Sequence, residues 1–533
     1  MSDKYSIPRA KFPEEVGVSS KEVLEFLRDA EENGLEFHSF MIIRHGKVAC
    51  ECFREPFTKD LPHAMYSVSK TITATAIGLA IDEGFLTLDT RLVDVFPEYA
   101  EKRKNDKRLA EITVRHLITM TAGKAPSLLA DKGKIDWIED YFTCPWYGEP
   151  GEFRYVNENM FMLCAIIRRT TGLSVREFLT PRFFDKLGID VPFWETDENG
   201  VEAGGWGSYI RTEDFAKMML CYEQGGKLNG QQIIPAQWAA EAGLFHSDNS
   251  FCNGLDSHNG YGYALWRNGG CLDSFRADGM FSQFGIVFEN DDAVFVMTSG
   301  IANEQEARDL IWRHFPKGFC PEGDSTAVPD LKKLLAESKI DNPSVSAHSP
   351  REAELNTKRI KIKKRVLLDI IGFPVSMLPL AVTYMTTDKA GNIDDIELTF
   401  SENECAMSWR EGDESNSIVC GMDGHQRYGT MILGKISYIV CSTAEWLNDD
   451  ELLIHVRPVT TVAKRSLRFT FRSGGKVSFK PSSTPSVADI AATLADSAAD
   501  IISSPLVLKI AKFALKYVPP LVEPRHNGKL KDR

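Results

Sequence analysis

Two apolar runs, Phe40-Met41-Ile42-Ile43 and Val48 to Phe53, flank His45-Gly46-Lys47, and this pattern predicts a β-hairpin over residues 37–53. The period then lengthens. Residues 67–84 read as a helix that stops at Gly84, a C′ glycine. Ile112 to Met120 reads as another, capped by Thr113, with a loop from Thr121-Ala122-Gly123, and residues 157–172 as a third that ends at Gly172. Gly204-Gly205-Trp206-Gly207 is a loop leading into a helix with Thr212 as N-cap and Glu213 and Asp214 in its first turn. Strands return at Tyr261–Trp266, Ser274–Ala277, Gly285–Phe288 and Ala293–Thr298. A front hairpin, central helices and late strands predict one α+β domain, 1–325, whose antiparallel sheet joins both ends of the segment and is flanked by helices.

The pattern changes again beyond this domain. Residues 326–356 have linker composition around a short helix, Asp330 to Ser338. From 357 to 480 the chain alternates, as in Leu452-Leu453-Ile454-His455-Val456-Arg457, and an antiparallel β domain or small barrel is expected. Residues 481–533 read as two amphipathic helices, the second (Leu506 to Val518) with Lys509, Lys512 and Lys516 on one side as a solvated face. A basic run from Lys358 precedes the apolar stretch Val366 to Val382. That stretch holds Asp369, Pro374 and Pro379 and sits at the short limit for a membrane span, so a buried strand and turn is the better reading.

A chain of 533 residues needs more than one core. Its formal net charge of −13 argues against a broad nucleic-acid interface, which needs a basic face. The first residues have no apolar signal region, so a cytoplasmic protein without stable membrane insertion is expected. The eleven cysteines are scattered and read as free thiols. Cys50 and Cys52 share a strand face, but nothing completes a metal set, and neither metal nor cofactor is expected.

Candidate chemistry begins at Ser67-Val68-Ser69-Lys70. Three residues apart on a helix, Ser67 and Lys70 share a face, and the positive helix end favours a developing alkoxide at Ser67. Lys70 needs desolvation, or a second cation beside it, to act as a base. The same string recurs as Ser473-Gly474-Gly475-Lys476, where Gly-Gly between alternating runs reads as a hairpin turn. Tyr155-Val156-Asn157 supplies a phenol and an amide two residues apart, which can share one side of an extended segment.

Ser67-x-x-Lys70, the Ile112-to-Gly123 stretch, Tyr155-x-Asn157 and the Gly-Gly loop, in that order over roughly residues 10–320, resemble the serine β-lactamase/penicillin-binding-protein superfamily. The likeness is to its class C β-lactamase-like branch of esterases, D-amino-acid peptidases and 6-aminohexanoate-dimer hydrolases. The resemblance implies Ser67 as nucleophile, Lys70 as base, Tyr155 as proton relay and Asn157 as the residue positioning Lys70 and substrate. It implies the backbone N–H groups of Ser67 and Met280 as the oxyanion hole. The family's third motif, a Lys- or His-containing triplet ending in Gly, corresponds to Ala277-Asp278-Gly279. Ala277 cannot hold a substrate carboxylate, which argues against efficient β-lactam hydrolysis; Ser282-Gln283 close behind partly matches the aminohexanoate-dimer branch. Several relatives carry a lipocalin-like or barrel domain after the catalytic one, which could add a rim loop or mediate a homodimer.

Other residues compete. Ser247-Asp248-Asn249 matches another family triplet but lies after the Gly-Gly loop, and a polar turn explains it. His63 and His116 have no acid partner in the sequence. Trp206 either lines the pocket or packs, as do Trp137, Trp146, Tyr147 and Trp266. The expected function is a serine hydrolase acting on a small ester, amide or peptide through an acyl-Ser67 intermediate. A binding or assembly protein that retains the fold is the alternative, and weak β-lactamase or D-peptidase activity stays open.

Overall fold

The computed structural model describes residues 5–124, 136–252, 254–320, 325–363, 393–486, 488–489, 523 and 525–533. The chain forms two compact units, one running to Ser338 and one beginning at Lys339. The elements that matter in the first are α1 (Ser20–Glu32), β1 (Phe37–Arg44), β2 (Lys47–Phe53), α2 (Ser69–Asp82), α3 (Asn157–Thr171), α4 (Thr212–Glu223), β3 (Trp266–Arg267), β4 (Ser274–Gly279), β5 (Gln283–Phe288), β6 (Ala293–Ser299), α5 (Glu304–His314) and α6 (Val328–Ala336).

The front hairpin and the late strands make one antiparallel sheet in the order β2-β1-β6-β5-β4-β3. Register explains the join. Phe40 pairs Met297 and Ile42 pairs Phe295, while Phe284 and Ile286 meet the same two residues from β5. Their side chains share one face with Cys50 and Cys52 and pack under Val23, Phe26 and Leu27 of α1 and Leu310 and Ile311 of α5. The opposite face receives α4: Phe215 and Met219 lie against Gly285. Apolar contact on both faces is why these strands read as continuous apolar runs.

Four local expectations change. The helix expected in a linker is α6, which enters the first unit's core through Leu331. Thr212 is the first helical residue rather than the cap, and its buried hydroxyl bonds Ser39 Oγ (2.7 Å). The strand expected at Tyr261–Trp266 is reduced to Trp266–Arg267, because Ala264 turns through a left-handed φ of 57°. The tail expected to be helical ends in a strand, Val366–Val382 and Leu506–Val518 lying outside the described residues.

In the second unit, β7 (Lys358–Ile362), β8 (Ile393–Phe400), β9 (Glu404–Glu411), β10 (Glu414–Gly421), β11 (Arg427–Leu433), β12 (Ile436–Asn448), β13 (Glu451–Pro458), β14 (Lys464–Arg472), β15 (Lys476–Thr484) and β16 (His526–Asp532) form one sheet. Nine strands close into a barrel where Gly421 of β10 meets Thr443 of β12, and β11 pairs with β12 beyond the closure. Alternation fills the barrel: Leu452, Ile454 and Val456 face Leu467, Phe469 and Phe471. β16 closes the ring between β7 and β15, burying His526, Gly528 and Leu530 while its lysines stay exposed. With one aliphatic residue in seven positions it carries little hydrophobic signal.

Among the described residues no helix is long and apolar enough to cross a membrane, and all eleven cysteines are free.

Candidate active site

The segment around Ser67 is gripped from both ends. His63 and Ala64 pair with Ile210 and Tyr209, and the Met65 N–H donates to the Ser208 carbonyl (2.9 Å). Tyr66–Val68 then makes a single 3-10 turn that runs directly into α2, so Ser67 sits just ahead of the α-helix rather than in its first turn, where the sequence pattern places it. Tyr66 adopts a left-handed φ of 46°, which for a non-glycine residue costs roughly 1–2 kcal/mol. The helix is buried on all sides. Its threonines are satisfied internally: Thr71 Oγ1 donates to Ala264 O (3.0 Å) and Thr73 Oγ1 to Gly204 O (3.0 Å). Ser69 is tied to Ser208, hydroxyl to hydroxyl, at 2.7 Å.

Lys70 is 1 % exposed, and its Nζ donates to Ser67 Oγ (2.8 Å), Asn157 Oδ1 (2.7 Å) and Gly205 O (2.7 Å). Burial lowers its pKa to about 7, against the opposing pull of Glu158 and Asp278. The hydrogen-bond geometry then limits what Lys70 can do. Asn157 Oδ1 and Gly205 O can only accept, so a neutral Lys70 spends its two protons on them and points its lone pair at Ser67. Gly205 makes this approach possible: a Cβ there would stand 3.0 Å from the Asn157 carbonyl.

Tyr155 reaches the same serine. The Arg154 N–H donates to Met120 O (2.7 Å), tying down the segment that follows the turn at Gly151 and leads to α3 at Asn157. The Tyr155 ring lies 4.7 Å from Lys70 Nζ, and its hydroxyl is close enough to the Ser67 side chain to be stabilised by it. Burial holds the phenol far above its ordinary pKa despite the opposing pull of Ser67, so it is a proton donor at neutral pH.

The turn that carries Met280 closes the other side. A Cβ on Gly279 would sit 2.4 Å from Met65 O, so only glycine lets the end of β4 approach the Ser67 segment this closely. Phe281 packs edge-on to Tyr66 at 5.4 Å. Phe281 and Ser282 both have left-handed φ, 62° and 65°, and buried side chains hold them there. Gln283 Nε2 donates to the carbonyls of Met280 (3.1 Å), Phe281 (3.0 Å) and Ser299 (2.9 Å), while its Oε1 accepts the Ser299 N–H (3.1 Å). Glu304 Oε1 accepts the Phe281 N–H (3.1 Å), and burial beside Asp278 raises the Glu304 pKa to about 7. The bracing by Glu304 has no sequence signal, because it comes from the first residue of α5, 23 positions further along the chain.

The remaining predicted residues separate. Ala277 is fully buried on the β4 face that looks toward Gly285, and brings no polar group. Asp278, given no role from the sequence, binds Arg276 Nε (2.6 Å) and Arg308 (3.4 Å) on the opposite face. Trp206 Nε1 donates to Glu195 (2.5 Å) and its ring lies 6.1 Å from Trp137. Trp146 is held by Asp106 (2.6 Å), and Tyr147 is exposed. Ser247 Oγ donates to Thr119 O and Asn249 Oδ1 accepts the Gly260 N–H, the work of a structural turn. His63 pairs with buried His38 (2.8 Å), and His116 completes the Thr113 capping box. The one trio of potential metal donors among the described residues, Glu22, Glu25 and His314, is cross-linked by Lys317 on Glu22 (3.1 Å).

With helices on both faces of an antiparallel sheet and a serine, lysine and tyrosine converging ahead of a buried helix, the chain belongs to the beta-lactamase family, whose model matches residues 29–315, over half of its length. Among curated proteins it is similar to the 6-aminohexanoate-dimer hydrolase of Paenarthrobacter ureafaciens, 24 % identical over 216 residues, covering 38 % of this chain and 55 % of the relative. It is also similar to the lovastatin esterase of Penicillium rubens, 25 % identical over 266 residues, covering 43 % of this chain and 61 % of that one. The chain thus spans somewhat over half the length of these two relatives, both named as hydrolases. A solved structure, the octameric penicillin-binding protein homologue from Pyrococcus abyssi, matches with 16 % identity and a TM-score of 0.44 over 86 % of this chain and 97 % of its own.

Proposed function

We propose that the protein is a serine hydrolase that cleaves an ester or amide through an acyl-Ser67 intermediate. The observation that carries this reading is the saturation of Lys70: its neutral form has one acceptor position left, and that position faces Ser67 Oγ. Lys70 takes the Ser67 proton as Oγ attacks the carbonyl carbon. Negative charge gathers on the carbonyl oxygen between the N–H groups of Ser67 and Met280. Tyr155, a protonated phenol, donates to the leaving oxygen or nitrogen and is reprotonated by Lys70, which holds the proton taken from Ser67. Water enters by the reverse route and frees the acid. Asn157 and Gly205 act by orienting Lys70. The names of the curated relatives, a 6-aminohexanoate-dimer hydrolase and a lovastatin esterase, support a hydrolase reading.

The test is turnover of p-nitrophenyl acetate. The wild-type protein is expected to release p-nitrophenol, and Ser67→Ala to lose at least about a thousandfold in kcat, the scale seen when a nucleophile is removed. Equal turnover by the two proteins would sink the reading.

A further inference from the structure

The aromatic residues beside Tyr155 form a continuous row that reaches the surface. Trp266 lies 5.3 Å from Tyr155 between ring centres, and Phe153 lies 6.0 Å from Trp266. Phe251 follows at 6.3 Å from Phe153. Tyr261 sits beneath them, 4.9 Å from Trp266 and 5.4 Å from Phe153. Burial divides the row into a base and a surface. Phe153 and Tyr261 are 3 % and 1 % exposed, whereas Phe251 is 50 % exposed and Tyr155 and Trp266 are half-buried. Packing accounts for the base, and the half-exposed Phe251 ring, held against Phe153, carries the apolar row out to solvent.

The surface is also stiffened from behind. Arg276, fully buried, places its guanidinium 5.6 Å from the Trp266 ring centre and is pinned by Asn268 (2.6 Å) and Asp278 (2.6 Å). The Arg154 guanidinium lies 5.0 Å from the Phe251 ring centre and leaves a polar rim there. A preformed apolar strip with few polar groups suits the non-reacting part of a ligand.

The direction of the row decides which part. It starts at Tyr155, the group that faces the leaving oxygen in the mechanism proposed above. We infer that Tyr155, Trp266 and Phe251 form a leaving-group ledge, and that the preferred substrates are esters of lipophilic alcohols, alkyl or aryl, with a small acyl group. This inference rests on the serine-hydrolase reading and adds the substrate class to it.

Two isomeric esters test it. Hexyl acetate and ethyl hexanoate have the same atoms and the same hydrophobicity but carry the chain on opposite sides of the carbonyl. With each rate normalised to its alkaline hydrolysis, hexyl acetate is expected to exceed both ethyl hexanoate and ethyl acetate by about tenfold in kcat/KM, a fraction of what full burial of its extra methylenes would give. Phe251→Ser should bring the two isomers within about twofold, and Phe251→Leu should keep most of the preference, since an apolar side chain is what the ledge needs. Phe85→Ser, an exposed phenylalanine just past the far end of α2, should leave the preference as it is. Equal turnover of the isomers, a preference for ethyl hexanoate, or a preference that survives Phe251→Ser would overturn the ledge while leaving the Ser67 chemistry standing. No Ser67-dependent turnover of any ester or amide would overturn both.

Discussion

The chain spells Ser-x-x-Lys twice, and the two copies share nothing beyond the string. Ser67 and Lys70 stand where a 3-10 turn becomes a buried helix, with Lys70 Nζ 2.8 Å from Ser67 Oγ. Ser473 and Lys476 flank a hairpin in the barrel unit, where Gly474 and Gly475 take left-handed φ of 73° and 68° and Lys476 opens the next strand. Both residues of the second pair are exposed. What separates the copies is burial: one lysine is stripped of water and held by two obligate acceptors, the other is solvated. A base made from lysine is a property of its surroundings, which a four-residue pattern does not encode.

The largest effect that would break this comparison comes from Lys70. Lys70→Arg keeps a cation but one that never deprotonates, and kcat is expected to fall at least about a hundredfold. The wild-type profile carries the matching signature. A lysine whose pKa burial lowers to about 7 is a base only above that value, so kcat/KM should rise with pH through about 7 and level off beyond it. A profile that stays flat from pH 6 to 9 would remove Lys70 from the base role. An arm of the protonated phenol Tyr155 should not cut activity in that window, because its pKa lies far higher.

A smaller effect sharpens the account of the other side of the site. Gln283→Ala removes four hydrogen bonds from the strained turn around Met280, and kcat should fall about tenfold with KM changed less than about threefold, as expected for a loosened oxyanion donor. A drop in KM-linked affinity with kcat intact would mean that Gln283 serves substrate binding instead. The smallest effect belongs to the second string. Lys476→Ala should leave ester turnover at the wild-type level and shift stability by no more than about 0.5 kcal/mol in a denaturant titration.

Residues that are close in sequence were the legible ones. Ser67-x-x-Lys70 on a helix and Tyr155-x-Asn157 at a helix start declare their geometry through local periodicity, and the mixed domain followed by a barrel follows from the change of period at residue 357. Features made by distant segments were hidden. The Gly205 carbonyl reaches Lys70 from 135 residues away, and Glu304 grips Phe281 across the sheet hairpin. Asp278 was assigned nothing because strand alternation turns it away from the face taken by Ala277; the same alternation sets Arg276 beside it, whereas Arg308 arrives from 30 residues away. The strand His526–Asp532 was missed because its buried positions include a histidine and a glycine, which carry no hydrophobic pattern.

The central claim is that one of two Ser-x-x-Lys matches holds a nucleophile and the other a turn. Labelling the full chain with a fluorophosphonate probe at pH 8, followed by peptide mass spectrometry, tests it most directly. The adduct is expected on the peptide containing Ser67, with none on the peptide containing Ser473 and none anywhere in Ser67→Ala. An adduct on Ser473, or labelling of Ser67→Ala to the wild-type extent, would contradict the account.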